Sequence, residues 1–492
     1  MTLSATQIQA IVDATKTPTP EQVRVVEAPR RPLLVVAGAG SGKTETMSMR
    51  VLWLLANHPD LTPASILGLT FTRKAAGELG DRLRERIRLL SRELPQLSER
   101  LDEDPVTLTY NSFAERIVSE HGMRIGIDPD FSMLSEAGAL DLMTQIVEAW
   151  PTDLDDDLSP AGVVGRVLHL AGEIAEHGYT VDSARQALEG FGRELEIVGD
   201  SNKAAQELHQ ANQRRIAFLG PIEAYQKRKR EMGLLDFSDQ LVLATRIVRE
   251  VPSVRAALRE EFRAVLLDEF QDTSVIQMEL LSTLFGDHAV TAVGDPNQAI
   301  YGWRGASASS LETFLERFQT GAPEEGQTLT LSTAWRNDVS ILDAANRVAA
   351  PLREVASYQA GKEQLNAQSP VLVPRPGAGR GVVEIAYPAA YEDALAATVD
   401  FVRRVRSRSR KDGSRRSVAV LSRRRKDFPL IDAALREAGI PTEIVGLGGL
   451  LDQPAVQDVR AALELGYDVA ASPWLARLLA GIDLGAADPM AL

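Results

Sequence analysis

A lysine closing a glycine-rich loop and a pair of adjacent carboxylates 225 positions further on are the residues of this sequence best suited to chemistry. The loop is Ala37-Gly38-Ala39-Gly40-Ser41-Gly42-Lys43-Thr44, an A-x-x-x-x-G-K-T pattern. Its glycines let backbone N–H groups close around phosphate oxygens. Lys43 can reach the β- and γ-phosphates, and the Thr44 hydroxyl can ligate Mg²⁺. A helix starting there turns its positive end toward the same anion. The carboxylates are Asp268-Glu269, which close the apolar run Val265-Leu266-Leu267. One can help hold Mg²⁺ and the other can activate an attacking water. A glycine-rich turn alone, or an acidic strand end alone, would mean little. Together they imply Mg²⁺-dependent hydrolysis of a nucleoside triphosphate.

A second group suggests what the hydrolysis serves. Phe71, Tyr110, Phe113, Tyr301 and Trp303 lie near strand ends or in loops, beside Arg73, Lys74 and Arg304. Each ring alone could be core. Aromatic faces interleaved with cations are also how proteins stack on single-stranded nucleic acid.

These residues need a scaffold. Leu33–Ala37 reads as a buried parallel strand before the loop, and Thr44–His58 as a helix. Ile66–Phe71 is a second strand, leading into a helix over 75–90. Val265–Leu267 is a third, and Ala289–Val293, ending in Gly294-Asp295, a fourth. Strands alternating with helices, with polar residues at their carboxyl ends, describe an open α/β sheet with its site along that edge. The helical pattern of 115–234 reads as an insertion, and its acidic run Asp153-Leu154-Asp155-Asp156-Asp157 as a solvated loop. A second α/β pattern follows from 326, with strands at Ser417–Leu421 and Thr442–Val445, a helix over 428–438 and a turn or linker at Pro374–Gly379.

The 492 residues suffice for several domains of about 100–200 residues each. Composition, at 44% apolar and 25% charged, is that of a globular protein. No apolar run is long enough to span a membrane, and no secretory signal opens the chain, so a cytoplasmic protein is expected. There is no cysteine, which excludes disulfides, thiolate metal sites and cysteine nucleophiles. The six histidines are scattered, so an expected metal is a hard cation on carboxylate and phosphate oxygens. The net charge of −14 argues against purely electrostatic nucleic-acid binding. It does not exclude a DNA-processing enzyme, because the local placement of charge decides.

The motifs, taken in order, resemble one family. Pro20-Glu21-Gln22, AGAGSGKT (37–44), LTFTRKAAGEL (69–79), TYNSFAERIV (109–118), LLDFSDQL (234–241), LLDEFQDTSVIQMELL (266–281), VGDPNQAIYGWRGA (293–306) and LSTAWRND (331–338) are similar to the UvrD/Rep-type superfamily 1 DNA helicases. The resemblance implies a RecA-like core split by a helical insertion and followed by a partial second RecA-like core. It implies ATP and Mg²⁺ as cofactors and 3′-to-5′ movement on single-stranded or partly duplex DNA, in repair or recombination.

Roles carry over by position. Gln22 would read adenine and Trp335 stack on it. Gly38, Gly40, Ser41, Gly42, Lys43 and Thr44 would hold the phosphates, with Thr44 and Asp268 on Mg²⁺. Glu269 would be the base, Gln298 the γ-phosphate sensor, and Arg336 a contact to that phosphate from the second core. Phe71, Thr72, Tyr110, Asn111, Tyr301, Trp303 and Arg304 would meet DNA.

The sequence also departs from the family. Ala334-Trp335-Arg336 stands for the family's Asn-Tyr-Arg. Tyr110 and Asn111 stand for the Phe and His of its Thr-Phe-His-Ser motif. The family's last two motifs, with a second arginine finger, are not found before Leu492, so a truncated helicase is expected. The stretches 109–137 and 418–454 are similar to motor subunits of actinobacterial AdnAB helicase–nucleases, implying a second such subunit as partner.

The expected divisions are 1–114 and 235–325 for the first core, 115–234 for the insertion, 326–455 for the second core, and 456–492 for the start of another helical insertion. Arg403, Arg404, Arg406, Arg408, Arg410, Lys411, Arg415, Arg416, Arg423, Arg424, Arg425 and Lys426 fit either a solvated basic loop or a DNA-backbone contact. A rival reading is an ATP-gated DNA-binding module with little turnover. A nuclease is a weaker one, since the chain has no carboxylate–lysine cluster for it.

Overall fold

The structure is a computed structural model that describes residues 2–128, 130–152, 154, 158–198, 203–302, 310–319, 326–359, 368–408, 413–445, 454–467, 474–475 and 477–478. The chain forms two units, Met1–Val383 and Glu384–Leu492.

The first unit opens with α1 (Ala5–Val12) and α2 (Pro20–Val26). Ser4 and Thr19 cap them, each in a reciprocal capping box with the glutamine three positions on. Strand β1 (Leu33–Ala37) is buried along its whole length and feeds the glycine loop and α3 (Lys43–Asn57). Next come β2 (Ile66–Thr70), α4 (Arg73–Glu93), β3 (Val106–Thr109) and α5 (Tyr110–His121).

The insertion holds β4 (Ser132–Met133), α6 (Glu136–Glu148), α7 (Pro160–Glu176), α8 (Val181–Val198), α9 (Lys203–Glu231) and β5 (Leu234–Leu235). Its helices pack on one another through a core that includes Met143, Val164, Val167, Leu219 and Ile222. β4 and β5 pair in parallel, Ser132 with Leu234 and Met133 with Leu235, so the chain leaves and returns side by side. The expected boundary at 115 falls inside α5. That helix belongs to the main core through Phe113, Ile117 and Val118, and the departure comes at β4.

The chain re-enters through α10 (Phe237–Glu250), α11 (Pro252–Glu261), β6 (Ala264–Leu267), α12 (Val275–Phe285) and β7 (Val290–Gly294). After α13 (Phe314–Phe318) come β8 (Gln327–Leu331), β9 (Thr333–Ala334), α14 (Val339–Gln359) and β10 (Val373–Pro374). The main sheet runs β3-β2-β6-β7-β1-β8, and every pairing in it is parallel. All strands therefore end on one edge. Successive side chains alternate between faces, so Leu34 and Val36 of β1 enter one core and Leu33, Val35 and Ala37 the other.

One expectation is corrected here. The second core was to begin at 326, but β8 pairs with β1 from Leu33–Gln327 to Ala37–Leu331. It is an edge strand of the first sheet, because a parallel partner for β1 is available there. The β9–β10 pair follows within the same unit. The turn read at 374–379 is present, with Gly377 at φ 71°.

The second unit contains α15 (Tyr391–Ser407), α16 (Phe428–Glu437) and α17 (Pro454–Tyr467). Val402, Leu435 and Ile440 form its small core. The strands expected at 417–421 and 442–445 do not form. A strand needs a hydrogen-bonded neighbour, and among the described residues of this unit these segments have no strand partner. Leu421 and Val445 stay exposed as a result. Of the basic cluster, Arg403, Arg404 and Arg424 are ion-paired to Asp400, Glu384 and Asp427. Arg410 and Lys411 lie outside the described residues, as do Asp153 and Asp155–Asp157 of the acidic run.

Candidate functional site

The glycine loop turns because Gly40 and Gly42 take left-handed backbone angles, φ 75° and 84°. L side chains rarely adopt these, so glycine is the fitting residue at both. Ser41 N–H donates to the Gly38 carbonyl at 3.2 Å, and Gly38 N–H to Leu331 at the end of β8 at 3.0 Å. Lys43 opens α3, which places that helix's N-terminus on the loop. Ser41 Oγ is buried without a hydrogen-bond partner. A loop that leaves a hydroxyl unpaired beside a helix N-terminus fits a ligand rich in acceptor oxygens.

The carboxylates emerge from β6, two strands from β1. Glu269 has φ 49°, one of two non-glycine residues with positive φ among those described. Its carboxylate accepts from Lys43 Nζ at 2.7 Å and from Gln271 Nε2 at 2.9 Å. Gln271 Oε1 accepts from Asp295 N–H at 3.0 Å, and Asp295 Oδ2 from Gln298 Nε2 at 2.7 Å. Ser369 donates to the other oxygen of Asp295 at 2.8 Å. Lys43, Glu269 and Gln298 are thus joined through Gln271 and Asp295. Asp295 was expected only as the polar end of a strand and Gln271 was given no role, although both stand inside the family motifs.

Burial, then the charge of Glu269, pushes Asp268 up to about 6. The same two causes raise Asp272 to about 6. A buried carboxylate held this way gains from a cation. Thr44 and Asp268 supply hard oxygen ligands of the kind Mg²⁺ takes. Among the described residues no cluster of three or more histidines or acidic side chains forms a self-sufficient metal cage, so such an ion would complete its shell with phosphate and water.

The other wall comes from α2 and the segment after β8. Gln22 Oε1 accepts from Thr19 N–H at 2.9 Å, and a side chain on Gly42 would stand 3.2 Å from Gln22 Nε2. Glu21 accepts from the N–H and hydroxyl of Ser332, tying α2 to that segment. Trp335 N–H donates to the Gly40 carbonyl at 2.8 Å, and the Trp335 ring is half-exposed. Arg336 was expected from a second core. It instead lies in the same unit as the loop, where a Cβ on Gly40 would be 3.0 Å from its own Cβ. The pairing of β8 with β1 carries it there.

Arg50 was also missed. It is buried in α3 and donates to the carbonyls of Val25, Val26, Ala28 and Pro29 and to Thr291 Oγ1. It holds the end of α2, and therefore Gln22, against the sheet. Burial lowers its guanidinium to about 10.

Along the same sheet edge the Phe71 ring stacks on Tyr301, with centroids 4.9 Å apart. Thr72 caps α4 from an exposed position, accepting from Ala75 N–H. Asn111 Oδ1 accepts from Gln277 Nε2 at 3.2 Å. Phe71, Tyr110, Asn111 and Gln277 line the core side of a cleft of about 480 Å³, whose opposite side carries His169 and Glu173 of the insertion. Tyr110 departs from its expected role as a DNA contact. Its side chain is only 3% exposed, and its hydroxyl donates to the Asp268 carbonyl at 3.0 Å. Trp303 and Arg304 lie outside the described residues.

Fold and site define a P-loop nucleotide-binding protein on a RecA-like parallel α/β core. Residues 18–319 match the UvrD/REP helicase N-terminal domain. The chain is 29% identical over 446 residues to DNA helicase II of Escherichia coli, covering 90% of this chain and 54% of that protein. It is 32% identical over 327 residues to DNA helicase II of Salmonella typhimurium, covering 66% and 39%. Similarity to the ATP-dependent DNA helicase PcrA of Staphylococcus aureus is 28% over 331 residues, covering 67% and 39%. The chain belongs to the UvrD/REP helicase family of superfamily 1. It spans about half the length, or less, of these relatives. No helix among the described residues is long and apolar enough to cross a membrane.

Proposed function

We propose that this chain is the ATP-hydrolysing motor part of a DNA helicase that moves 3′ to 5′ along single-stranded DNA. The observation that carries this reading is the hydrogen-bonded chain Lys43–Glu269–Gln271–Asp295–Gln298. It runs from the phosphate loop toward the loop that bears Tyr301, stacked on Phe71. The family membership supports the same reading.

The chemistry follows from the residues. Lys43 leaves Glu269 for the β- and γ-phosphates, which frees the carboxylate. Glu269 takes the proton of a water whose oxygen attacks the γ-phosphorus, and the bridging oxygen leaves with ADP. Mg²⁺ on Thr44 and Asp268 would neutralise charge on the phosphate oxygens. Gln22 and Trp335 hold the base, and Arg336 adds positive charge over Gly40. Gln298 senses the change at the phosphate and passes it to Tyr301 and Phe71. Trp303, Arg304, Thr72 and Asn111 complete the strand contact in this reading.

The finer assignments rest on sequence likeness. The stretches 109–137 and 418–454 support an AdnAB-like subunit with a second helicase–nuclease subunit, acting in cytoplasmic repair or recombination. The motif order supports a first motor core split by the helical insertion and followed by a partial second core.

Phosphate release measured with and without oligo-dT tests the proposal, with Lys43→Ala as control. Release stimulated by oligo-dT and lost in Lys43→Ala is expected. Mg·ATP and DNA binding without release would select the ATP-gated binding module instead. Equal Mg·ATP affinity in wild type and Lys43→Ala would overturn the nucleotide assignment.

A further inference from the structure

We infer that the Tyr110 hydroxyl is a positioning group that reports occupancy of the cleft between core and insertion to the Asp268–Glu269 carboxylates. The inference rests on the proposed motor reading and adds a residue-level link to it.

Three observations meet at this point. Tyr110 is the first residue of α5, so a shift of that helix end moves its ring directly. Its hydroxyl holds the carbonyl of Asp268, at the turn that presents both carboxylates. Tyr110 and its neighbour Asn111 also line the cleft, and Asn111 is tied to Gln277 of α12, the helix that follows the same turn. One residue therefore touches the cleft on one side and the carboxylate strand on the other.

The family motif carries phenylalanine at this place. The ring supplies the packing, and the hydroxyl adds the hydrogen bond to the Asp268 carbonyl. A buried carbonyl that accepts a side-chain hydrogen bond is fixed more tightly than one without it. Glu269 already sits in a backbone conformation that few residues adopt, so the placement of the preceding carbonyl bears directly on where its carboxylate points.

Tyr110→Phe removes the hydroxyl and keeps the ring. The test compares it with wild type in three measurements: oligo-dT affinity by fluorescence anisotropy, steady-state phosphate release, and amide hydrogen exchange over 264–273 with and without oligo-dT. The expected result is unchanged KM for ATP and unchanged oligo-dT affinity, with DNA-stimulated kcat lower by about three- to tenfold, the effect of one hydrogen bond. Exchange over 264–273 should slow on adding oligo-dT in wild type and not respond in Tyr110→Phe. An exchange response to DNA that persists in the variant overturns the inference, even if basal exchange rises, because the hydroxyl would then be structural only. Bound DNA with no response in wild type also overturns it. Absence of oligo-dT binding by wild type fails the motor reading itself, and the inference falls with it.

Discussion

Glu269 is held in a left-handed conformation, of a kind that costs about 1–3 kcal/mol, and its carboxylate receives both Lys43 and Gln271. The surrounding hydrogen bonds keep it there, which is the signature of a side chain aimed for chemistry. Glu269→Gln retains the shape and an acceptor oxygen but not the base. Mg·ATP affinity by calorimetry should stay near wild type, and turnover should fall at least about 10²-fold. Unchanged turnover would assign the base elsewhere. Phe71 is the second residue whose role can be isolated. It is half-buried, and among the described residues its ring stacks on Tyr301 alone. A base that takes up this stack loses it when Phe71 becomes alanine. Phe71→Ala should weaken oligo-dT binding by about 1–3 kcal/mol and leave the melting temperature nearly unchanged. A lower melting temperature with normal DNA affinity would make Phe71 a packing residue.

At the scale of elements, the join between the insertion and the core depends on Lys229. It lies near the end of α9, buried, with its ammonium between Asp236 and Asp239 at the start of α10 and over the Tyr225 ring. Asp236 is held below the ordinary carboxylate range, although burial, its largest single influence, opposes this; the Lys229 charge and hydrogen bond outweigh it. Asp239 is raised, by burial first and then by Asp236. Lys229→Met leaves two half-buried carboxylates facing each other and should cost up to about 3 kcal/mol at neutral pH. With the lysine gone, both carboxylates lose its charge and hydrogen bond, and in this half-buried setting they bind protons more readily folded than unfolded. A group raised in this way stabilises the fold below its unfolded value, and that stability is lost as pH rises through the folded value. The deficit of Lys229→Met should therefore shrink as pH falls from 7 toward 4. Chemical denaturation at a series of pH values checks this, and a constant deficit would show that Lys229 acts by packing alone.

For the molecule as a whole, each contact described around the loop lies within Met1–Val383. Gln22, Trp335, Arg336 and the Asp295–Ser369 bond all belong to that unit, which has a complete six-stranded sheet with a core on each face. A fragment of residues 1–383 should fold cooperatively and bind Mg·ATP within a few-fold of the full chain's affinity. A thermal melt and calorimetry test this. A fragment that folds but binds no nucleotide would place an essential nucleotide contact in the second unit.

The chemical parts and their local setting are written in short stretches of residues. The strand, loop and helix around Lys43, and the strand ending in Asp268-Glu269, were legible because apolar periodicity, glycine placement and capping act over a few residues. How those parts meet depends on contacts between elements far apart in the chain. That β8 joins the first sheet, carrying Trp335 and Arg336 over Gly40, depends on a strand pairing across nearly 300 positions, which no local pattern encodes. Tyr110 read as a surface aromatic because ring and hydroxyl look alike in sequence whether they face DNA or a backbone carbonyl. Arg50 and Lys229 carry no signal in the sequence that sets them apart from other basic residues. Both are buried because carbonyls or carboxylates from other elements converge on them, and convergence in space is a property of the folded chain alone.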